Sequence, residues 1–578
     1  MCGILCEIRH SSHTIIEDEQ VMQRIKNRGP DCFNSTQLML NNLTSIYFCG
    51  SVLWMQGLNP TEQPVENEQG ILLYNGDIFD QSWDAEMSDT QFIMEKLSKS
   101  QSAEQIILEI RMFKGPFSLI YYDKNSHQLF FSRDRIGRNS LLFHSSSNSF
   151  VISNVLGRKY PCIEVPATHI YNIDINTNKI NLYTWEQSCT KICSSYCIEE
   201  WLQNVKEQQN LPDDQFVIDF DTTQDLNDED NIIEEIENIS SSLSDKHTIL
   251  KRILENTIIL NTVTKITELL EKSVKIRLET QPSRCKNCIK DANIICCHCT
   301  TGILFSGGLD CTILAVLADK FVPKHQPIDL INVAFKTNNN SSYQVPDRIT
   351  GRQSFEELKN ICESRQWVFR EVNIPKDKLE YHQMLTIGDL VYPRRTVLDE
   401  SLGSALWFAA DARSQDLDVS PCRILLLGSG ADELFGGYTR HRNAFKRKSW
   451  LGLSKELVLD WKRISFRNLA RDNRVICDHG RQPRMPYLDE DLVDYVLKLK
   501  PWLKCYPSAN LECGIGDKLI LRLVALYIGL NQVVTLPKRA LQFGSRIANK
   551  KQKGSDVSRT FIDYNMKNSD LNTILNFQ

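Results

Sequence analysis

The sequence predicts an α+β domain followed by an α/β domain, and three observations carry that reading. A chain of 578 residues exceeds what one core sustains, since single cores stop growing at ~250–300 residues. Residues 1–190 hold short apolar and aromatic runs bounded by Gly, Asn and Asp, the signature of antiparallel strands and turns. After Ile249 apolar strand-like runs alternate with helical periodicity, which points to a parallel sheet flanked by helices.

In chain order, IYFCGSVLWM, GILLYNGDIF, FSLIYYD, QLFFSRD and SFVIS supply the strands of the first unit. From Glu207 to Asp245 no Lys or Arg occurs, while carboxylates are dense. Like-charge repulsion with few apolar groups predicts an acidic linker or insert over 191–248. LKRILENTIILNTVTKITELLEKSVKIRL then has apolar residues at three- and four-residue spacing and reads as one or two amphipathic helices. TGILFSGGLDCTILAVLAD reads strand, glycine turn, helix, with IDLINVAF and CRILLLGSGADELFGGY supplying further buried strands. The second domain is expected over 249–550, with a polar tail at 551–578.

A net charge of −5 gives no reason to expect a nucleic-acid partner. No apolar run approaches the ~20 residues that span a bilayer, so no membrane partner is expected. The first residues mix His, Glu, Asp and Arg without an apolar stretch of the export type, which predicts a cytoplasmic protein. Its nineteen cysteines are then read as reduced, whether buried, reactive or metal-bound.

The sharpest motif is SGGLD at 306–310. Following a strand and opening a helix, it aims unpaired N–H groups and the positive end of the helix dipole at the loop. Gly307 and Gly308 allow close backbone approach to an anion and Ser306 adds a hydroxyl, so the segment reads as a phosphate cradle. No Lys follows the glycines, which disfavours a Walker-type loop. The bland alternative is a tight strand-to-helix turn. Cys285, Cys288, Cys296 and Cys299 form C-x2-C-x7-C-x2-C, a spacing suited to a tetrahedral zinc site. A cysteine-rich loop is the competing reading. Cys2, directly after the initiator Met, has no obvious use at a chain tip.

SGGLDC resembles the SGGxDS pyrophosphate loop of ATP pyrophosphatases, with Cys311 at the last position. GSGADELFGGY at 428–438 resembles the SGEGSDEVFGGY segment of asparagine synthetases. DHGRQPRMPYLDEDLVDYV, GDKLILR and LPKRALQFGSR resemble further segments of that family. In the first half, NRGPD at 27–31, NGDIF at 75–79, SDT at 88–90 and RDRIGRNSLLF at 133–143 resemble its HRGPD, NGEIY, Asp-bearing and RDxxGxxPLY segments. On these residues the chain is similar to the glutamine-hydrolysing asparagine synthetases.

That resemblance implies an N-terminal class II glutamine amidotransferase domain of the Ntn-type αββα fold. It implies a C-terminal ATP-pyrophosphatase domain with an adenine nucleotide alpha hydrolase-like parallel sheet. Removal of Met1 would leave Cys2 as the nucleophile, its α-amine serving as base. Asn75 and Gly76 would form the oxyanion hole, and Asp77 and Asp89 would join them in binding glutamine. ATP would lie against Phe305, Ser306, Gly307, Gly308, Asp310, Val333, Leu427 and Gly428, with Mg²⁺ on Asp310 and Asp432 and Lys518 as the synthetic-site lysine. The substrates would be glutamine, aspartate and ATP, and the activity that of a carbon–nitrogen ligase in asparagine biosynthesis.

The pattern is broken in three places. Ser51 stands where the family's Arg grips the glutamine carboxylate. Ser429 replaces the Glu beside the forming adenylate, and Ser153-Asn154 replaces a Ser-Glu pair. These departures keep two alternatives open, a synthetase-fold scaffold or sensor and an amidotransferase acting on another carboxylate.

Overall fold

The protein is described by a computed structural model that covers all residues except 1, 10–17, 42–43, 80–85, 147–148, 187–190, 211–230, 292, 337–340, 415–417, 549–552 and 565–578. The first domain contains two antiparallel sheets, of six and seven strands. Side-chain alternation along the strands explains their stacking. Ile4, Cys6 and Ile8 of the strand Gly3–Arg9 meet Ile71 and Leu73 of Gly70–Gly76 in the core between the sheets. On the far side of the seven-stranded sheet, Leu72 and Tyr74 pack against Ile93, Leu97, Ile106 and Ile110. The last four lie on the helices Asp89–Ser98 and Ala103–Met112. The opposite outer layer is the helix Glu19–Arg28, whose Val21 and Ile25 cover Leu5 and Cys49. The layers are helix, sheet, sheet, helix, as the αββα expectation requires.

The second domain is built on five parallel strands. Their spatial order is Trp367–Ile374, Ile328–Phe335, Thr301–Leu304, Ile424–Leu426 and Gln482–Arg484. Strand order reverses at Thr301–Leu304, and in open α/β sheets the crevice beyond such a switch point is where ligands bind. The helix Leu309–Phe321 rises from that crevice.

Domain limits differ from those read in the sequence. The strand Ser194–Cys197 joins the seven-stranded sheet, and the helix after it, Ile198–Asn210, buries Trp201, Leu202 and Val205 in the inter-sheet core. Ile232, Ile236 and Ile249 of the helices Ile232–Ser242 and Lys246–Leu254 pack into the second core. Apolar residues at helical spacing outweigh the surrounding charge at both ends of the expected spacer, and its most acidic part, 211–230, lies outside the described residues. At the C-terminus Val397 and Leu398 donate N–H bonds to Asp556 and Gly554, and Phe561 is buried. The first part of the expected tail is therefore docked, and 565–578 lies outside the described residues.

The domains meet through buried charge. Arg138 pairs with both Asp134 and Glu490, Arg474 with Glu164, and Arg24 and Arg158 with Asp389. Removing one partner of such a pair strands the other without solvent, which is strongly destabilising.

Candidate active sites

Cys2 enters the first strand buried between Asn75 and Asn154. Its backbone nitrogen donates to Asn75 Oδ1 at 2.8 Å, and its carbonyl accepts from Asn154 Nδ2 at 2.7 Å and Arg28 Nε at 3.3 Å. Asn154 Oδ1 in turn accepts from the Ile4 N–H at 3.2 Å. This explains the Asn where the family has Glu, because a carboxamide can donate and accept at once and an ionised carboxylate only accepts. Ser153 Oγ completes the grip by donating to the Ile4 carbonyl at 2.9 Å. Burial pushes the Cys2 thiol up, and the Arg28 cation pulls against that rise.

Gln63, a residue the sequence reading missed, reaches Cys2 Sγ with its Nε2 at 3.5 Å while its Oε1 accepts from Tyr74 N. The pocket beside the thiol is lined by Cys2, Gln63, Gly76, Ser88 and Asp89, among others, and encloses about 20 Å³. That volume suits about one water. Asp89 sits on this pocket with its carboxyl raised to about 7, chiefly by burial and then by Asp77.

Asn75 holds Cys2 with its oxygen and donates to Ser118 Oγ with its nitrogen, which keeps a second hydrogen. Asp77 is fully buried and turned to the other domain, where Arg484 Nη2 lies 3.2 Å from each of its oxygens and Gln482 also donates to it. Ser51 donates to the Gly29 carbonyl at 2.5 Å. It replaces a long cation with a local hydrogen bond between two backbone segments.

At the switch point a cavity of about 420 Å³ opens, within the usual range for small-ligand sites. Phe305, Ser306, Gly308, Asp310, Val333, Leu427, Gly428, Ser429, Asp432 and Lys518 all line it. Gly307 lies just behind the wall, at φ +76°, and a Cβ there would meet the Gly351 backbone at 2.5 Å. The loop can thus turn only with glycine at that point. Cys311 keeps the loop closed by donating its thiol to the Gly308 carbonyl at 3.3 Å, the task a Ser hydroxyl would perform.

Asp310 and Asp432, each in the first turn of the helix that follows one of two adjacent strands, converge on one ammonium. Lys518 Nζ lies 2.7 Å from Asp310 and 2.9 Å from Asp432, and Lys538 reaches Asp432 at 3.2 Å. The two cations hold Asp432 well below the usual carboxylate range against its burial, and burial pushes Asp310 up. Two facing carboxylates give the hard oxygen donors that Mg²⁺ takes, so the residues present fit that ion. The 536–546 loop folds onto the mouth, with Arg539 donating to Thr350 Oγ1 at 3.0 Å and Ser545 O accepting from Phe335 N.

Residues missed in the sequence form the far wall. Arg440, Asp460, Arg463, Arg467, Asn468 and Arg471 line it. Arg440 and Arg463 both pair with Asp460, which they and His441 hold at about 2 despite its burial. Glu433 accepts from Tyr438 Oη at 2.6 Å and Asn468 Nδ2 at 2.9 Å, and burial followed by the Asp432 charge lifts it to about 7. Asp347, which also lines the cavity, is likewise raised to about 7 by burial.

The cysteine-rich loop departs from its expected ligand set. Cys285, Cys288 and Cys296 gather with His298, their ligand atoms all within 4.8 Å of one another. Cys299 is not among them. It begins the approach to the strand Thr301–Leu304, is packed in the main core, and donates its thiol to the Thr301 carbonyl at 3.0 Å.

A buried Cys2 pocket in an αββα domain, joined to a parallel-sheet domain with a cavity at its switch point, is the arrangement of a glutamine amidotransferase fused to an asparagine-synthetase-like domain. Comparisons agree with that class. A profile of the glutamine amidotransferase domain matches residues 1–157, and one of asparagine synthase matches 298–454 and 445–549. An asparagine synthetase domain-containing protein of Drosophila melanogaster is 39% identical, covering 96% of this chain and 100% of that one. Asparagine synthetase domain-containing protein 1 of Homo sapiens is 34% identical, with 95% of each chain covered. A Saccharomyces cerevisiae relative of the same description is 26% identical over 93% of this chain and 90% of its own. The chain belongs to the family of asparagine synthetase domain-containing proteins, within the glutamine-hydrolysing ligases, whose asparagine synthase domain uses ATP, commonly with Mg²⁺.

Proposed function

We propose that the protein makes asparagine from aspartate, with glutamine as nitrogen donor and ATP as the source of activation. The convergence of Asp310 and Asp432 on Lys518 at the mouth of a 420 Å³ cavity carries the reading.

In the first domain the α-amine of Cys2, oriented by Asn75, takes the thiol proton, and the sulfur attacks the glutamine amide. Gly76 N–H and the second Asn75 amide hydrogen stabilise the oxyanion. Asp89 binds the glutamine ammonium. Ammonia leaves, and water cleaves the thioester to glutamate. In the second domain the aspartate β-carboxylate attacks the α-phosphorus of ATP and pyrophosphate departs. Ser306 and the Gly307–Gly308 backbone hold the phosphates, and Lys518 faces the developing charge. Mg²⁺, held by Asp310 and Asp432, would offset phosphate charge when bound. Ammonia then displaces AMP.

A second reading is favoured by Ser429, which places a hydroxyl where a carboxylate would flank the adenylate. On that reading the protein binds ATP and serves as a scaffold or sensor, or activates another acid. Pyrophosphate release from MgATP and ammonia, compared with and without aspartate and across other dicarboxylic acids, separates the readings. Release that depends on aspartate supports synthesis, and release with another acid alone moves the acceptor. ATP binding without release supports the scaffold. A cytoplasmic site of action is part of the proposal and is checked by cell fractionation.

A further inference from the structure

The strongest feature outside the two sites is the thiol cluster ahead of the strand Thr301–Leu304. Cys285, Cys288 and Cys296 are buried together and are free thiols. The ring of His298 is placed against all three. Its Nδ1 lies 3.8 Å from Cys285 Sγ, 3.4 Å from Cys288 Sγ and 3.8 Å from Cys296 Sγ. Zinc–sulfur bonds of ~2.3 Å and zinc–nitrogen bonds of ~2.0–2.1 Å at tetrahedral angles give S···N edges of about 3.6 Å. The three distances bracket that edge. The Cys285 N–H also donates to Cys296 Sγ at 3.3 Å, the kind of backbone support that steadies a thiolate ligand.

We propose that Cys285, Cys288, Cys296 and His298 bind one structural zinc ion. Three thiolates and one imidazole close a four-coordinate shell with no position left for substrate, which defines a structural and not a catalytic centre. With Nδ1 as the ligand, Nε2 would carry the ring proton, on a residue that is exposed.

The site ties its loop into the second domain and brings one arginine to the first. Lys286 N donates to Pro421 O at 2.9 Å and Lys286 Nζ to His479 O at 3.2 Å, both in the second domain. Gln326 Nε2 bridges Ser283 O and Cys296 O at 2.9 and 3.1 Å. Arg284 lies over the Trp54 ring, 5.9 Å from its centroid, and Trp54 lines the Cys2 pocket. Zinc would therefore fix the segment that both feeds the nucleotide-loop strand and touches the wall of the nucleophile pocket.

The test is metal analysis of the full-length protein purified without chelator, by native mass spectrometry and elemental analysis. One zinc per chain is expected in the wild type, in Cys299→Ser and in Asp310→Ala, and its loss in Cys296→Ser and His298→Ala. Cobalt added to chelator-stripped wild type should give thiolate-to-cobalt absorption with tetrahedral visible bands, a readout that does not depend on any variant folding. A wild type with no bound zinc and no cobalt–thiolate bands would overturn the proposal. So would loss of zinc from Cys299→Ser with retention in His298→Ala, or a disulfide among Cys285, Cys288 and Cys296 in freshly isolated protein.

Discussion

Asp77 and Arg484, both fully buried, form an ion pair at 3.2 Å that crosses from the glutamine domain to the synthetase domain. Asp77 directly follows the strand Gly70–Gly76, which ends on Asn75 and Gly76, and Arg484 ends the last strand of the parallel sheet. The pair therefore ties the Cys2 pocket to the sheet that holds the cavity of about 420 Å³. Asp77→Asn leaves the Arg484 cation without its counter-charge and should lower stability by ~3–5 kcal/mol. It should also reduce glutamine-driven product formation more than ammonia-driven. Denaturant unfolding and the ratio of the two activities check this. Equal loss of both activities would make the pair a simple fold contact.

Asn154→Asp should separate the two faces of the carboxamide. The carboxylate still accepts from Ile4 but cannot donate to the Cys2 carbonyl, which is left buried and short of a bond. A cost of ~1–3 kcal/mol is expected, together with a fall in glutaminase rate and unchanged ammonia-dependent activity. Thermal unfolding and glutamate release measure the two effects.

Asp89 titrates at about 7 because burial and Asp77 disfavour its ionised form. Below that pH it is protonated and cannot pair with an ammonium; above it the charge is present. The Michaelis constant for glutamine should fall as pH rises through about 7, while the constant for ammonia should lack that step once corrected for ammonia's own ionisation. A pH profile of both, with Asp89→Asn as the control that abolishes the glutamine step, checks the assignment.

The replaced charges predict two independent gains. Ser429→Glu restores a carboxylate at the cavity wall and should raise ammonia-dependent aspartate activation by as much as ~10²–10³, the scale of a well-placed electrostatic contact. Ser51→Arg should improve glutamine use alone. Pyrophosphate release with ammonia and glutamate release with glutamine separate the two. A Ser429→Glu protein that binds ATP normally but releases no pyrophosphate would favour the scaffold reading.

What could be read from the sequence was whatever sits in short contiguous segments. Cys2, the Asn75–Gly76 strand end, SGGLD and GSGADE were legible because a strand end or glycine turn forces its chemistry into a few consecutive residues. The far wall was not, because Arg440 and the pair Asp460 and Arg463 lie on two helical stretches either side of a break at Lys448 and Ser449, a fold-back that the charge spacing does not announce. Only the fold shows that they face the cavity. The metal-ligand set failed for a related reason. Two C-x2-C pairs look equivalent in one dimension, but the chain turns toward the sheet after His298 and carries Cys299 into the core. Asn154 looked like a lost charge until its two bonds to the first strand were in view.

The central claim is tested most directly by following nitrogen. Purified protein with amide-¹⁵N glutamine, aspartate and MgATP should give asparagine labelled at its side-chain amide, with AMP and pyrophosphate in matching amounts. Cys2→Ala should lose the label from glutamine yet still form asparagine from ammonia. Glutamate release with no labelled asparagine, and no AMP that depends on aspartate in either protein, would contradict the account.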